Sequence, residues 1–159
     1  MTKRVPSASV AVTPPAPRPV HRSRECFVCG TENEAGLDLG LTWDGARCRG
    51  DYTPRRLHRG YGNVLHGGIL CGLLDEAICV AVGERIGGKV VTVRLEATYH
   101  RPVLVERPVV VEGWFVRSRG RFHHGAGQVT DPTTGKVCTR ARMTCILLPE
   151  EHASKFQGR

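Results

Sequence analysis

The stretch from Gly67 to Val82, GGILCGLLDEAICVAV, decides the fold of this chain. Apolar residues fill it without the period-two alternation of a half-buried strand, and its length suits a helix. A helix that is apolar nearly all round belongs inside a protein, wrapped by other elements. Gly83, Gly87 and Gly88 are placed to end it.

Upstream, Leu37, Leu39 and Leu41 alternate at period two and predict a strand, with a hairpin turn at Asp44-Gly45 and a return strand over 46–52. A basic, glycine-rich loop over 55–65, holding Gly60, Gly62 and Asn63, leads into the helix. Downstream the chain reads as strands. The first, 90–101, sets Val91, Val93, Leu95, Ala97 and Tyr99 on one face. The next, 108–117, is followed by a turn at Arg119-Gly120. A weakly patterned run over 121–130, turn residues Asp131-Pro132 and Gly135, and a last strand over 137–148 complete the series. Two strands, one buried helix and four hairpin-connected strands make an α+β domain, with about six antiparallel strands against one long helix.

At 159 residues the chain is long enough for one domain and too short for two. Residues 1–25 carry five prolines among four arginines and one lysine and are expected to be a disordered basic tail. The folded domain is expected over 26–149, and 150–159 reads as a polar tail. No run reaches the ~20 apolar residues of a membrane span, and the N-terminus lacks the apolar core of a secretory signal. Seven cysteines, an odd number scattered among apolar residues, suit reduced thiols in a cytoplasmic protein. The net charge of +8 favours acidic partners, and both nucleic acid and a phosphorylated small molecule fit it. The domain has no recognised nucleic-acid motif, so nucleic acid is not expected as a partner. There is no P-loop, no GxGxxG and no G-x-S-x-G elbow, which excludes the commonest nucleotide-binding and serine-hydrolase designs.

Within the buried helix the only charged residues up to Gly83 are Asp75 and Glu76. A carboxylate in apolar surroundings is costly unless it is paired, hydrogen-bonded or put to use. The two are neighbours, so they point about 100° apart and only one can occupy a given site. His66-Gly67-Gly68 stands where the helix begins. Backbone N–H groups there, at the positive end of the helix dipole, can hold a developing oxyanion.

The run His66-Gly67-Gly68-Ile69-Leu70-Cys71-Gly72-Leu73-Leu74-Asp75-Glu76-Ala77 resembles the signature of PaaI-type hotdog thioesterases. In that family an HGG turn opens the central helix, and an acidic residue lies nine positions after the histidine. Cys26-Phe27-Val28-Cys29-Gly30 with Gly36-Leu37-Asp38-Leu39, the loop Gly60 to Leu65, and the strand Thr92 to Pro102 are similar to other parts of the same superfamily. The resemblance implies a hotdog fold and hydrolysis of acyl-CoA thioesters. It assigns Asp75 as nucleophile or general base, Gly67 as the N–H donor to the thioester carbonyl with Gly68 beside it, His66 as the histidine of the turn, and Thr92 as a hydroxyl near the attacking water. Some members carry an asparagine six residues before the histidine. Here that position is Gly60, and Asn63 is the nearest replacement. Substrate contacts are expected from Asn63, Glu76, Arg101, Arg119 and Arg121, with Arg117 beside them. No cofactor and no metal are expected.

Gly67 and Asp75 lie eight residues apart, about 12 Å along a helix. That is too far for both to act on one carbonyl, so a homodimer or homotetramer with sites built across subunits is expected. Two other readings keep the fold: a non-catalytic acyl-CoA-binding domain, and a thioesterase acting on carrier-protein thioesters. Cys26-x-x-Cys29 lacks a second pair in the sequence and reads as two inert thiols.

Overall fold

The computed structural model describes residues 16–149. In chain order the elements are β1 (Arg18–Pro19), β2 (Thr42–Trp43), β3 (Arg47–Tyr52), α1 (Gly67–Ile86), β4 (Val90–Tyr99), β5 (Val109–Arg119), β6 (Phe122–Thr130) and β7 (Val137–Leu147). The strands form one antiparallel sheet in the order β1-β2-β3-β5-β6-β7-β4, and α1 packs across it. This is the α+β hotdog arrangement, with seven strands where about six were expected. The extra one is the two-residue β1.

The helix runs one turn beyond Val82 and stops where Gly87 takes a left-handed conformation with φ 76°. Its N-cap is His66, whose side chain accepts from the Gly68 N–H. Leu70, Leu73, Leu74, Ala77, Ile78, Ala81 and Val82 are buried. They share one core with Val111, Val129, Met143 and Cys145 of the sheet and with Leu37, Leu39 and Leu41. The helix sits unusually deep on β5 and β6. A Cβ at Gly113 would lie 2.7 Å from the Ile78 nitrogen and closer still to the Ala77 carbonyl. At Gly125 it would be 2.8 Å from Val82 Cγ2, and at Gly127 it would be 2.9 Å from Ile78 Cγ1. Three glycines thus make a trough that takes the helix backbone at Gly113 and the Ile78 and Val82 side chains at Gly125 and Gly127.

The sequence reading changes at three places. Residues 16–25 were grouped with the tail, yet Arg18–Pro19 pair with Thr42–Trp43, the Val20 N–H donates to the Leu41 carbonyl, and the Val20 side chain is buried. Two paired residues suffice for this edge, and prolines are tolerated there. The remaining tail residues, 1–15 and 150–159, lie outside the described region. Leu37, Leu39 and Leu41 alternate in burial as expected but form no strand. The N–H groups of Leu37 and Leu39 donate to the Phe27 and Val28 carbonyls, at 2.7 and 2.8 Å, so their backbone serves the Cys26–Cys29 loop. In β4 the expected single face breaks at a bulge between Thr92 and Arg94. One extra residue, Val93, reverses the alternation, so Val90 and Thr92 share the helix side with Leu95, Ala97 and Tyr99.

Candidate active site

The bulge delivers Thr92 to Asp75. The Thr92 hydroxyl donates to Asp75 Oδ1 at 2.7 Å, and Cys79 Sγ lies 3.3 Å from the same hydroxyl oxygen. With the hydroxyl proton committed to the carboxylate, the Cys79 thiol is the donor in that second contact. Burial above all pushes the Cys79 thiol up to about 12, so it stays protonated in this role. About two helical turns earlier, a second contact of the same kind fastens the start of the helix. The Tyr99 hydroxyl donates to the Gly67 carbonyl at 3.0 Å, and Cys71 Sγ lies 3.0 Å from it. The Cys71 contact first, then burial, raises Tyr99 to about 12. Strand β4 is therefore sewn to α1 at both ends of the segment that carries the HGG turn and the carboxylate.

At the turn, the Gly68 N–H donates to His66 Nδ1 at 3.0 Å. An imidazole nitrogen that accepts carries no proton, so in the neutral ring the proton sits on Nε2. This contact uses the Gly68 donor. Among the described residues no acceptor is found for the Gly67 N–H, the first of the helix's orphan donors. A Cβ at Gly67 would lie 3.3 Å from the Tyr99 hydroxyl, and one at Gly60 would lie 3.3 Å from His66 Cα. Both glycines let the turn close against its neighbours.

Asp75 and Glu76 diverge as neighbours on a helix must. Asp75 meets Thr92, whereas Glu76 faces the N-terminal loop, with its Oε2 3.9 Å from Cys26 Sγ. Glu76 is thus not brought to Asp75. Asn63 sits exposed in the turn before the helix; its carbonyl accepts from the Val105 N–H at 2.9 Å, and among the described residues its side chain takes no hydrogen bond. Nothing places it where the missing asparagine would be. Arg101 is exposed and spends its guanidinium on the Val137 carbonyl at 2.8 Å. Arg119 and Arg121 do come together, lining a groove of about 640 Å³ with Val93, Arg94, Phe122 and His124. Arg121 lies over the Phe122 ring, 5.2 Å from its centroid.

Two groupings were not legible in the sequence. Cys26, Cys29 and Glu76 have their ligand atoms within 4.8 Å of one another. The basic loop also turns inward. His58 is buried, its Nδ1 2.7 Å from the Tyr52 hydroxyl, and Arg55 reaches past its Nε2 to the Gly36 carbonyl at 2.6 Å. Burial first and the Arg55 charge second hold His58 below the usual histidine range. The signal was present in retrospect as a histidine three residues after an arginine, but nothing in the sequence shows that residue 36 lies over them.

The outer face of the site is open in the single chain. Strand β4 is an edge of the sheet, and Val91, Val93 and Tyr99 on it are exposed. Beside it Gly72, Asp75, Glu76, Cys79 and Val80 form a half-exposed stripe on α1.

Comparison with known proteins bears on the fold that carries these residues. The thioesterase superfamily model matches residues 62–138, from the turn before the helix to the start of β7. No curated protein sequence matches the chain. Among solved structures, a thioesterase superfamily protein is 27% identical with a TM-score of 0.72, over 77% of this chain. This chain spans 63% of that protein's length. The Escherichia coli PaaI protein from the phenylacetic acid degradation operon is 15% identical, with a TM-score of 0.65 over 71% of this chain and 81% of its own. An acyl-CoA hydrolase from Staphylococcus aureus, solved with butyryl-CoA and coenzyme A, is 14% identical with a TM-score of 0.61. It matches over 66% of this chain and 65% of its own. The hotdog fold and the thioesterase resemblance read from the sequence are both found.

Proposed function

We infer that this hotdog chain, a thioesterase superfamily domain over residues 62–138, hydrolyses acyl-CoA thioesters to free acid and coenzyme A. The observation that carries this reading is the Asp75 carboxylate held at 2.7 Å by Thr92 on an unpaired sheet edge, in the same helix that presents the free Gly67 N–H. The thioester oxygen accepts from Gly67, which stabilises the charge that develops as the carbonyl carbon becomes tetrahedral. Asp75 removes a proton from water as the water adds to that carbon, or adds to it directly. The C–S bond then breaks, the departing thiolate takes up a proton, and on the direct path water hydrolyses the mixed anhydride left on Asp75.

About 12 Å of helix separates Gly67 from Asp75, so the two halves of one site come from different subunits. The exposed edge β4 and the half-exposed stripe of α1 support a homodimer or homotetramer built on this face. Arg119 and Arg121 supply the basic groove for the nucleotide phosphates. The described region has no helix long and apolar enough to cross a membrane, and all seven cysteines are free. These features support a cytoplasmic enzyme with reduced thiols.

A second reading rests on Gly60, which leaves no amide side chain beside His66: a domain that binds acyl-CoA without turning it over. One experiment separates the two. Short, long and aryl acyl-CoAs, and acyl-carrier-protein thioesters, are assayed by free-thiol release with Asp75→Asn alongside. Turnover of at least one substrate, reduced ~100-fold or more in the variant, supports the enzyme. Coenzyme A binding without turnover supports the second reading. A fully active Asp75→Asn overturns the assignment of Asp75.

A further inference from the structure

The loop preceding the core brings two cysteines to Glu76 of the central helix. Cys26 Sγ, Cys29 Sγ and a Glu76 carboxylate oxygen lie within 4.8 Å of one another. The loop is folded for this without an ion. The Gly30 N–H donates to the Cys26 carbonyl at 2.9 Å, closing the C-x-x-C-G segment into a turn. Residue 30 must be glycine, because a Cβ there would lie 2.6 Å from the Cys26 nitrogen and 2.7 Å from the Arg24 carbonyl. The turn aims the Val28 N–H at Cys26 Sγ, 3.4 Å away. Arg22 holds the far end, donating to the Cys29 carbonyl at 2.6 Å.

Glu76 completes the set from the helix. It is half-buried, and among the described residues no arginine, lysine or histidine pairs with it. Its polar neighbours in the loop are the two cysteine sulfurs, and a dication among the three groups would give the carboxylate a charge partner. Tetrahedral zinc–sulfur bonds of about 2.3 Å put two sulfurs about 3.8 Å apart, so atoms already within 4.8 Å need only a small inward movement. Two sulfurs and one carboxylate suit a zinc-class ion, being too soft for magnesium or calcium. Three protein ligands leave the fourth position to water.

We propose that Cys26, Cys29 and Glu76 bind one divalent ion of the zinc class, clasping the N-terminal loop to α1 one residue away from Asp75. Binding forms two metal–sulfur bonds and one metal–oxygen bond and releases the two thiol protons to solvent. The ion is a fastener in this arrangement. It fixes Glu76, and with it the rotation of the helix that aims Asp75 at Thr92.

The test uses the full chain, reduced and purified without a metal-binding tag. Metal is measured by elemental analysis after reconstitution with zinc, and cobalt(II) is titrated as an optical probe. One zinc per chain is expected, with a thiolate-to-cobalt charge-transfer band. The Cys26→Ser/Cys29→Ser variant should lose both, and Glu76→Gln should keep the band but bind at least ~10-fold more weakly. Zinc well below one ion per folded chain, with no charge-transfer band, overturns the proposal. So does a double-serine variant that holds metal as the parent does. Should that variant fail to fold, the titration of the parent chain decides alone.

Discussion

Replacing Thr92 by valine tests the central contact of the site. The substitution keeps the branched shape, suits a strand, and exchanges the hydroxyl for a methyl group beside Cys79. It deletes the 2.7 Å hydrogen bond to Asp75 Oδ1 and leaves the backbone bulge in place. A hydrogen bond to a charged group contributes about 1.5–3 kcal/mol. If it holds Asp75 in its reactive position through the transition state, losing it lowers kcat/KM roughly 10- to 150-fold, at about 1.4 kcal/mol per tenfold. The assay is free-thiol release from the best acyl-CoA of the panel, with Thr92→Ser as the rescue control and the melting temperature as the check on folding. Thr92→Ser should recover most of the activity. The reasoning is refuted if Thr92→Val keeps the parent kcat/KM while Asp75→Asn is inactive, because Asp75 would then act without its strand partner.

Three further outcomes are expected. Gly113→Ala drives a methyl group into the Ala77–Ile78 backbone, an overpacking worth about 3 kcal/mol that lowers Tm by roughly 6–12 °C in a thermal melt; an unchanged Tm would show that α1 does not sit in the trough. His58 is held below its ordinary value of 6.5 in the folded state, so the unfolded chain binds its proton first. The stability His58 contributes is complete above that pH and is lost as pH falls through the folded-state value. Urea midpoints measured from pH 7.5 downward should therefore decline in the parent and decline less in His58→Gln. Val93→Lys, on the exposed edge strand, should shift the chain toward monomer in light scattering and lower activity in parallel. A fully active monomer would contradict a site shared between subunits.

Some of this architecture was plain in the residues and some was not, for definite reasons. The central helix, its glycine stop and the divergence of Asp75 from Glu76 follow from local periodicity, which a single segment carries by itself. Strand β6 read as weakly patterned because two of its inward positions are Gly125 and Gly127, and hydrophobic alternation has no sign for glycine. The face of β4 was misjudged because a bulge is a property of the pairing with β7, and one segment alone does not reveal it. The same bulge is what turns Thr92 toward Asp75, so the residue was named from the family resemblance before geometry gave it a partner. Glu76 joins Cys26 and Cys29 only because the N-terminal loop crosses the helix, a meeting of residues some fifty positions apart.

The trough of Gly113, Gly125 and Gly127 also bears on what the molecule can become. With helix backbone on the sheet at Gly113 and helix side chains filling the space over Gly125 and Gly127, no cleft remains on that side. On the proposed thioesterase reading, a fatty or aromatic tail would run along the opposite flank of α1, where Gly72, Cys79 and Val80 are half-open and a neighbouring subunit would form the second wall. Selectivity for tail length would then be set where two subunits meet, open to change by small substitutions on that flank, while the packed side stays fixed.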